Sequence, residues 1–216
     1  MGKLNVTNRT KVKRLPQRAS YETEVIYKIL DGALVCHLGF IYKGSVNIIP
    51  TFYGRKDDLI YIHGSYNSRM LKLFSSGEDV CLSVTIIDGL VLARSAFHHS
   101  VNYRSIVMYC KPEEIIDSEE KTKALEIIMN HILQDRWQEV RKPNQKELDV
   151  TSVFSFKINE ASAKMRTGPP ADDKEDYDLD VWAGVIPIKT SYDKPIRDEL
   201  LRENVVLPEY IRSIEK

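Results

Sequence analysis

The sequence predicts a mainly β, α+β fold, an antiparallel sheet or β-barrel with peripheral helices, and three observations carry that prediction. Roughly six or seven β-prone runs outnumber about three helical stretches. The two kinds of element do not alternate regularly, which argues against a doubly wound parallel sheet. Neighbouring β-runs are joined by short turns, as antiparallel pairing requires. At 216 residues with 43% hydrophobic content, the chain can bury the core of one domain. The expected division is a binding domain with an N-terminal extension over residues 1–188 and a charged tail over 189–216.

Taken in order, the first element is a helix within SYETEVIYKILDG, with Ser20 as its cap and Gly32 as a left-handed stop. Val25, Ile26, Ile29 and Leu30 form its apolar face. ALVCHLGFIYKG is β-prone, and Lys43-Gly44 marks a turn into SVNIIPTFYGR. Pro50 lacks an N–H to donate, so this strand belongs at an edge or a bulge. DLIYIHG follows a charged turn at Arg55–Asp58. SRMLKLFSSG predicts a short helix capped by Ser68, with Met70, Leu71 and Phe74 inward and Gly77 at its end. VCLSVTIIDGLVLARSAF predicts a hairpin turning at Asp88-Gly89. SIVMYCKPEEII is a strand closed by Pro112. A long helix starts at Asp117 or Ser118 and runs to Pro143, with Leu125, Ile128, Met129, Ile132, Leu133 and Trp137 along one face. TSVFSFKIN is the last firm strand. ADDKEDYDLD is a solvated loop by composition, and a short helix is expected in the tail near Leu200.

Charge and cysteine content exclude several classes. Thirty-one basic residues balance 31 acidic ones, which gives no case for nucleic acid or an anionic membrane. The basic N-terminal segment LNVTNRTKVKRLPQRAS reads as a mobile or edge-lying tail rather than a nucleic-acid arm. Cys36, Cys81 and Cys110 lie apart in apolar runs without a CxxC pair, so neither zinc ligation nor a disulfide framework is indicated. With no apolar run long enough to span a bilayer, the expectation is a soluble, cytoplasmic protein. GxSxG, GxGxxG, Walker and HExxH patterns are all absent. His63, His98 and His99 have no metal-ligand spacing, and no metal is expected.

The informative stretch runs from Tyr61 to Ser105. Ser65, Ser68 and Arg69 follow one strand, and Asn102, Tyr103, Arg104 and Ser105 open another. Guanidinium groups beside hydroxyls suit a phosphorylated, flat ligand. Surface arginines beside turns would look the same, so both readings stay open on spacing alone.

HGSYNSRML, IIDGLVLARSAFHHSVNYRS, DRWQEVRKP, ASAKMRTGPP and VWAGVIPI, found together and in this order, resemble flavin-nucleotide-binding proteins related to pyridoxamine 5′-phosphate oxidase and to nitroimidazole-resistance proteins. The resemblance runs from about Val12 to Ile188. It implies an FMN-binding split β-barrel of antiparallel strands, usually a homodimer with FMN at the subunit interface. Under it, Ile49, Pro50 and Thr51 form the strand that meets the flavin ring. His63, Gly64 and Ser65 lie beside the ribityl chain and phosphate. Ser68, Arg69 and Met70 occupy the phosphate clamp, with Met70 where relatives carry a second cation. Tyr103, Arg104 and Ser105 reach the cofactor from across the site. Trp182, by its residue type a core or interface side chain, is the other candidate, as a cover for a flat ring. The arginine- and histidine-bearing ending of the vitamin-making oxidases is missing, which sets pyridoxamine phosphate oxidation in doubt. The implied function is an FMN-dependent oxidoreductase acting on a small molecule. A non-catalytic FMN or pyridoxal-phosphate carrier is the alternative, and haem in place of flavin is a third reading, since related split barrels hold haem through histidine.

Overall fold

The computed structural model describes residues 2–75 and 77–215. It is a split β-barrel assembled from two antiparallel sheets, not closed into one. The short β1 (Ala19–Ser20) leads into α1 (Thr23–Asp31), then β2 (Val35–Tyr42) and β3 (Ser45–Phe52). The turn between these two strands is the expected one. Lys43 and Gly44 both have positive φ, 49° and 76°, and Tyr42 pairs with Ser45, as a two-residue hairpin loop demands. β3 is an edge strand, which is where Pro50 can be tolerated.

β4 (Gly54–Lys56) and β5 (Leu59–Ser65) open the second sheet, turning at Asp57 with φ 55°. The short helix α2 (Arg69–Phe74) follows as predicted and buries Met70, Leu71 and Phe74. β6 (Val80–Leu92) and β7 (Ser100–Cys110) complete the centre of the first sheet. β8 (Pro112–Ile115), β9 (Thr151–Lys157), β10 (Ala161–Arg166) and β11 (Gly184–Pro187) finish the strands. The first sheet runs β1-β10-β7-β6-β2-β3, with β11 also paired to β6, and the second runs β4-β5-β9-β8.

Several sequence expectations are overturned. Asp88-Gly89 is not a hairpin turn: β6 runs straight through it with a register shift between Ile87 and Gly89. The bulge changes which side chains face inward, from Val80, Leu82 and Val84 before it to Val91 after it. Glycine is required here because β11 passes so close that a Cβ would lie 2.9 Å from the Ile186 carbonyl oxygen. The long helix is broken. α3 (Ser118–Ile132) ends before a left-handed Asp135, and α4 (Arg136–Glu139) starts afresh, followed by α5 (Gln145–Asp149). The strand expected to close at Pro112 does end there, with β7 stopping at Cys110. The PEEI that follows, however, forms a separate strand, β8, which Pro112 opens in the second sheet beside β9. The tail helix is α6 (Glu209–Arg212) rather than a helix near Leu200. In α1, Glu22 takes the cap position in place of Ser20, and Gly32 ends the helix at φ −87°, not left-handed.

The core lies between the sheets. Phe74 of α2 packs edge-on against Phe40 of the first sheet and against Phe154 and Phe156 of the second, at centroid separations of 6.3, 5.4 and 5.6 Å. Burying each of these rings contributes about 2–3 kcal/mol. The N-terminal segment lies along the barrel edge: Arg9 bonds Glu160 and Asp79, so that cation is used within the chain. Among the described residues no helix is long and apolar enough to cross a membrane.

Candidate functional site

α3 covers the outer face of the second sheet. Its approach is set by Gly54, where a Cβ would lie only 2.6 Å from the Ile128 Cα. The face beneath carries Tyr61 and His63 on β5, opposite Ser155 and Val153 on β9. α3 ends at Ile132, and α4 resumes after the left-handed Asp135 with Trp137 buried. The result is a groove of about 480 Å³, walled by Leu125, Ile128, Met129, Ile132, Leu133, Trp137, Val140 and Pro143, with His63 as the imidazole in its lining. Arg136, Arg141 and Glu147 complete the lining.

His63 is solvent-accessible and lines this groove. Its apolar surroundings disfavour the cation and hold its pKa below the ordinary imidazole value. The side chain is therefore neutral near pH 7, with a lone pair to offer a metal or a proton donor. The helical stripe that reads in sequence as core is only partly so. Ile128 and Trp137 are buried, while Leu125, Met129 and Leu133 are half-buried and Ile132 is exposed. A larger cleft, about 720 Å³, includes Asp31, Arg55, Lys123 and His131. Its central charges are already spent on each other, Arg55 gripping Asp31 through two bonds of 2.6 Å, and His131 is committed to the Ala33 carbonyl at 2.8 Å.

The residues singled out in sequence fall into four places. Ile49, Pro50 and Thr51 lie on the edge strand β3, with Ile49 and Thr51 on the face of Leu38 and Cys36, and Pro50 on the reverse. His63, Gly64, Ser65, Ser68, Arg69 and Met70 are brought together at the β5–α2 junction, where the Ser68 N–H donates to the Ser65 carbonyl at 2.8 Å. Within that group Arg69 is exposed and enters no ion pair among the described residues, whereas Met70 is buried in the core. Tyr103, Arg104 and Ser105 lie on the central β7, so by strand alternation Arg104 faces away from its two neighbours. Trp182 is exposed and lies over Gly184, where a Cβ would meet its ring at 2.9 Å.

Arg104 is not a free cation. Asp88, at the β6 bulge, takes two hydrogen bonds from it at 2.9 and 2.6 Å. A cation that sequence reasoning passed over is Arg166, at the end of β10. It is buried, bonds Asn102 and the Gly168 and Pro169 carbonyls, and has no carboxylate partner among the described residues. Burial first, and then the neighbouring Arg18, hold its pKa below the usual guanidinium value. Its only sequence signal was its place in the MRTGPP segment. Burial raises all three thiols, Cys36 to about 12, which disfavours the reactive thiolate.

Residues 22–165 match the model of a family described as pyridoxamine 5′-phosphate oxidase. Among solved structures, the flavocytochrome Anf3 from Azotobacter vinelandii is 38% identical, with a TM-score of 0.91 over 96% of this chain and 97% of that one. An FAD and haem binding protein from Mycobacterium smegmatis is 30% identical, with a TM-score of 0.88 over 92% of this chain and 97% of that one. A search of curated proteins gave no match.

Proposed function

This chain belongs to the pyridoxamine 5′-phosphate oxidase family, and on that premise we propose that it is a redox protein holding a flavin and a haem. The observation that carries the proposal is the apolar groove with neutral His63 in its wall. A porphyrin needs a flat apolar slot and an axial nitrogen, and an imidazole serves as proximal ligand in many haem proteins. The residues fit that group. Leu125, Met129, Ile132 and Trp137 offer apolar walls, His63 offers the ligand, and Arg136 and Arg141 offer cations for the propionates. Both arginines already have acid partners, Arg136 with Glu139 and Arg141 with Glu147, so propionates would share them. The two solved relatives, whose names join a flavin with a haem or cytochrome, support the same reading.

For the flavin, the β5–α2 junction supplies Ser65, Ser68 and the unpaired Arg69 as a phosphate grip, while Arg104 acts through its pair with Asp88. We take the flavin to be FAD, because a relative aligned over 92% of the chain is named for it; FMN satisfies the same phosphate grip. When bound, the flavin supplies two-electron and the haem one-electron chemistry. The chain's own residues bind, orient and exclude water.

We further propose a homodimer. Ile41, Val46, Ile48 and Phe52 are all exposed, and β2–β3 pairing puts them on one outer face of the hairpin. A strand pair that is apolar on both sides has a second face to bury.

Absorption spectroscopy of the purified protein tests the cofactor assignment. A Soret band together with a flavin doublet is expected, and His63→Ala should remove the Soret band while leaving the doublet. A Soret band that survives the substitution places the haem ligand elsewhere, and a protein that takes up neither group overturns the proposal. The phosphate grip is tested by Arg69→Ala, which should weaken FAD and FMN binding by about tenfold or more and leave riboflavin little changed, since a hydrogen bond to a charged group is worth about 1.5–3 kcal/mol. Equal losses for the three ligands would assign Arg69 a structural role.

A further inference from the structure

The corner between β6 and β7 holds a second cluster of chemistry, separate from the groove. The segment from Arg94 to His99 is stitched to the loop that follows β10. The Asp172 carboxylate accepts from the Arg94 N–H at 2.9 Å, the Ser95 N–H at 3.4 Å and the Arg94 guanidinium at 3.1 Å. Arg94 also stacks on the Tyr177 ring at 4.8 Å. This frame sets His98 against two further acids of the loop, Asp173 and Asp176. The ligand atoms of His98, Asp173 and Asp176 all lie within 4.8 Å of one another.

A plain ion pair does not account for the arrangement. His98 Nε2 is 3.2 Å from an Asp173 oxygen, yet it is buried and makes no hydrogen bond. The oxygen is within reach of the ring nitrogen, yet the pair does not meet hydrogen-bond geometry. That is the relation between two ligands of a shared ion, since each directs its lone pair at the ion and not at its neighbour. Two carboxylates held this near each other also repel, and neither is paired with a lysine or arginine among the described residues. One dication would neutralise both and take up the orphaned nitrogen.

We propose that His98, Asp173 and Asp176 form a binding site for a divalent first-row metal ion. The imidazole favours zinc or manganese over magnesium and calcium, which prefer all-oxygen sets. Bonds to such an ion would be about 2.0–2.2 Å long, and the Asp173 side chain is exposed. Three protein ligands leave coordination positions for water or a substrate group. The ion would also tie the β6–β7 corner to the loop that leads to Trp182 and β11.

Equilibrium dialysis of the full chain against Zn²⁺ and, separately, Mn²⁺, with bound metal measured by elemental analysis, tests the site. One equivalent per chain is expected, in addition to any haem iron. His98→Ala and Asp176→Asn should each weaken that binding at least tenfold, with far-UV circular dichroism confirming the fold. Asp173→Asn, at an exposed side chain, should do the same and keeps the test decisive where the other two variants do not fold. No metal uptake, or uptake equal in wild type and variants, overturns the proposal, and neither outcome bears on the His63 groove.

Discussion

At the scale of single residues, His63 shows how a fold changes the meaning of a side chain. In sequence it is a histidine after a strand, with no partner at any recognised spacing. In the fold it lines one groove with apolar side chains from α3 and α4, and desolvation there lowers its proton affinity. A depressed folded pKa has a definite consequence for stability. Below the ordinary imidazole value near 6.5 the unfolded chain takes up the proton more readily than the folded one, so stability falls as pH falls through that value toward the folded pKa. Urea midpoints measured without added haem should therefore drop between pH 7.5 and 5.5 in wild type, and drop less in His63→Gln. Parallel curves would mean that His63 is solvated like an ordinary surface histidine. Arg104 is the opposite case. Its placement in an NYRS segment suggested a free cation, and Asp88 took it up, a partner far away by the chain's predicted turn and adjacent by its actual bulge.

At the scale of elements, local pattern was sufficient where one element settles its own form. The Lys43-Gly44 hairpin, the short α2 and the start of α3 at Asp117, whose carboxylate accepts from the Glu119 and Glu120 N–H groups, follow from residues a few positions apart. Pattern failed where a distant segment intervened. Asp88-Gly89 has turn chemistry, but the pairing of β6 with β7 on one side and β11 on the other holds it extended. Gly54 carries no sequence signal at all, yet α3 crosses it at near contact. Gly54→Ala should cost about 1–3 kcal/mol by overpacking, read as a lower urea midpoint, and should displace α3 enough to perturb the His63 groove. A variant as stable as wild type would mean that α3 can shift without loss.

At the scale of the whole molecule, the unfinished surface is the outer face of the β2–β3 hairpin, with Val46 at 78% exposure and Ile48 at 67%. Leu38 and Phe40 on the opposite face are buried, so the hairpin's stability within one chain does not need this second apolar face. Ile48→Glu combined with Val46→Glu should convert the proposed dimer to monomer in light scattering while leaving circular dichroism unchanged. A wild-type protein that is monomeric at micromolar concentration would sink the dimer.

The sequence by itself determined the antiparallel, mainly β class, the edge position of Pro50, the buried triad of α2 and the family to which the chain belongs. These rest on alternation, turn chemistry and contiguous motifs, all written within a few residues of one another. Only the tertiary structure decided that β6 runs through Asp88-Gly89, that the long helix breaks before Asp135, that its apolar stripe walls a groove opposite His63, and that His98 meets Asp173 and Asp176. Each of those outcomes depends on which distant segments come within a few ångströms of each other, and strand pairing and helix approach set that distance rather than spacing along the chain.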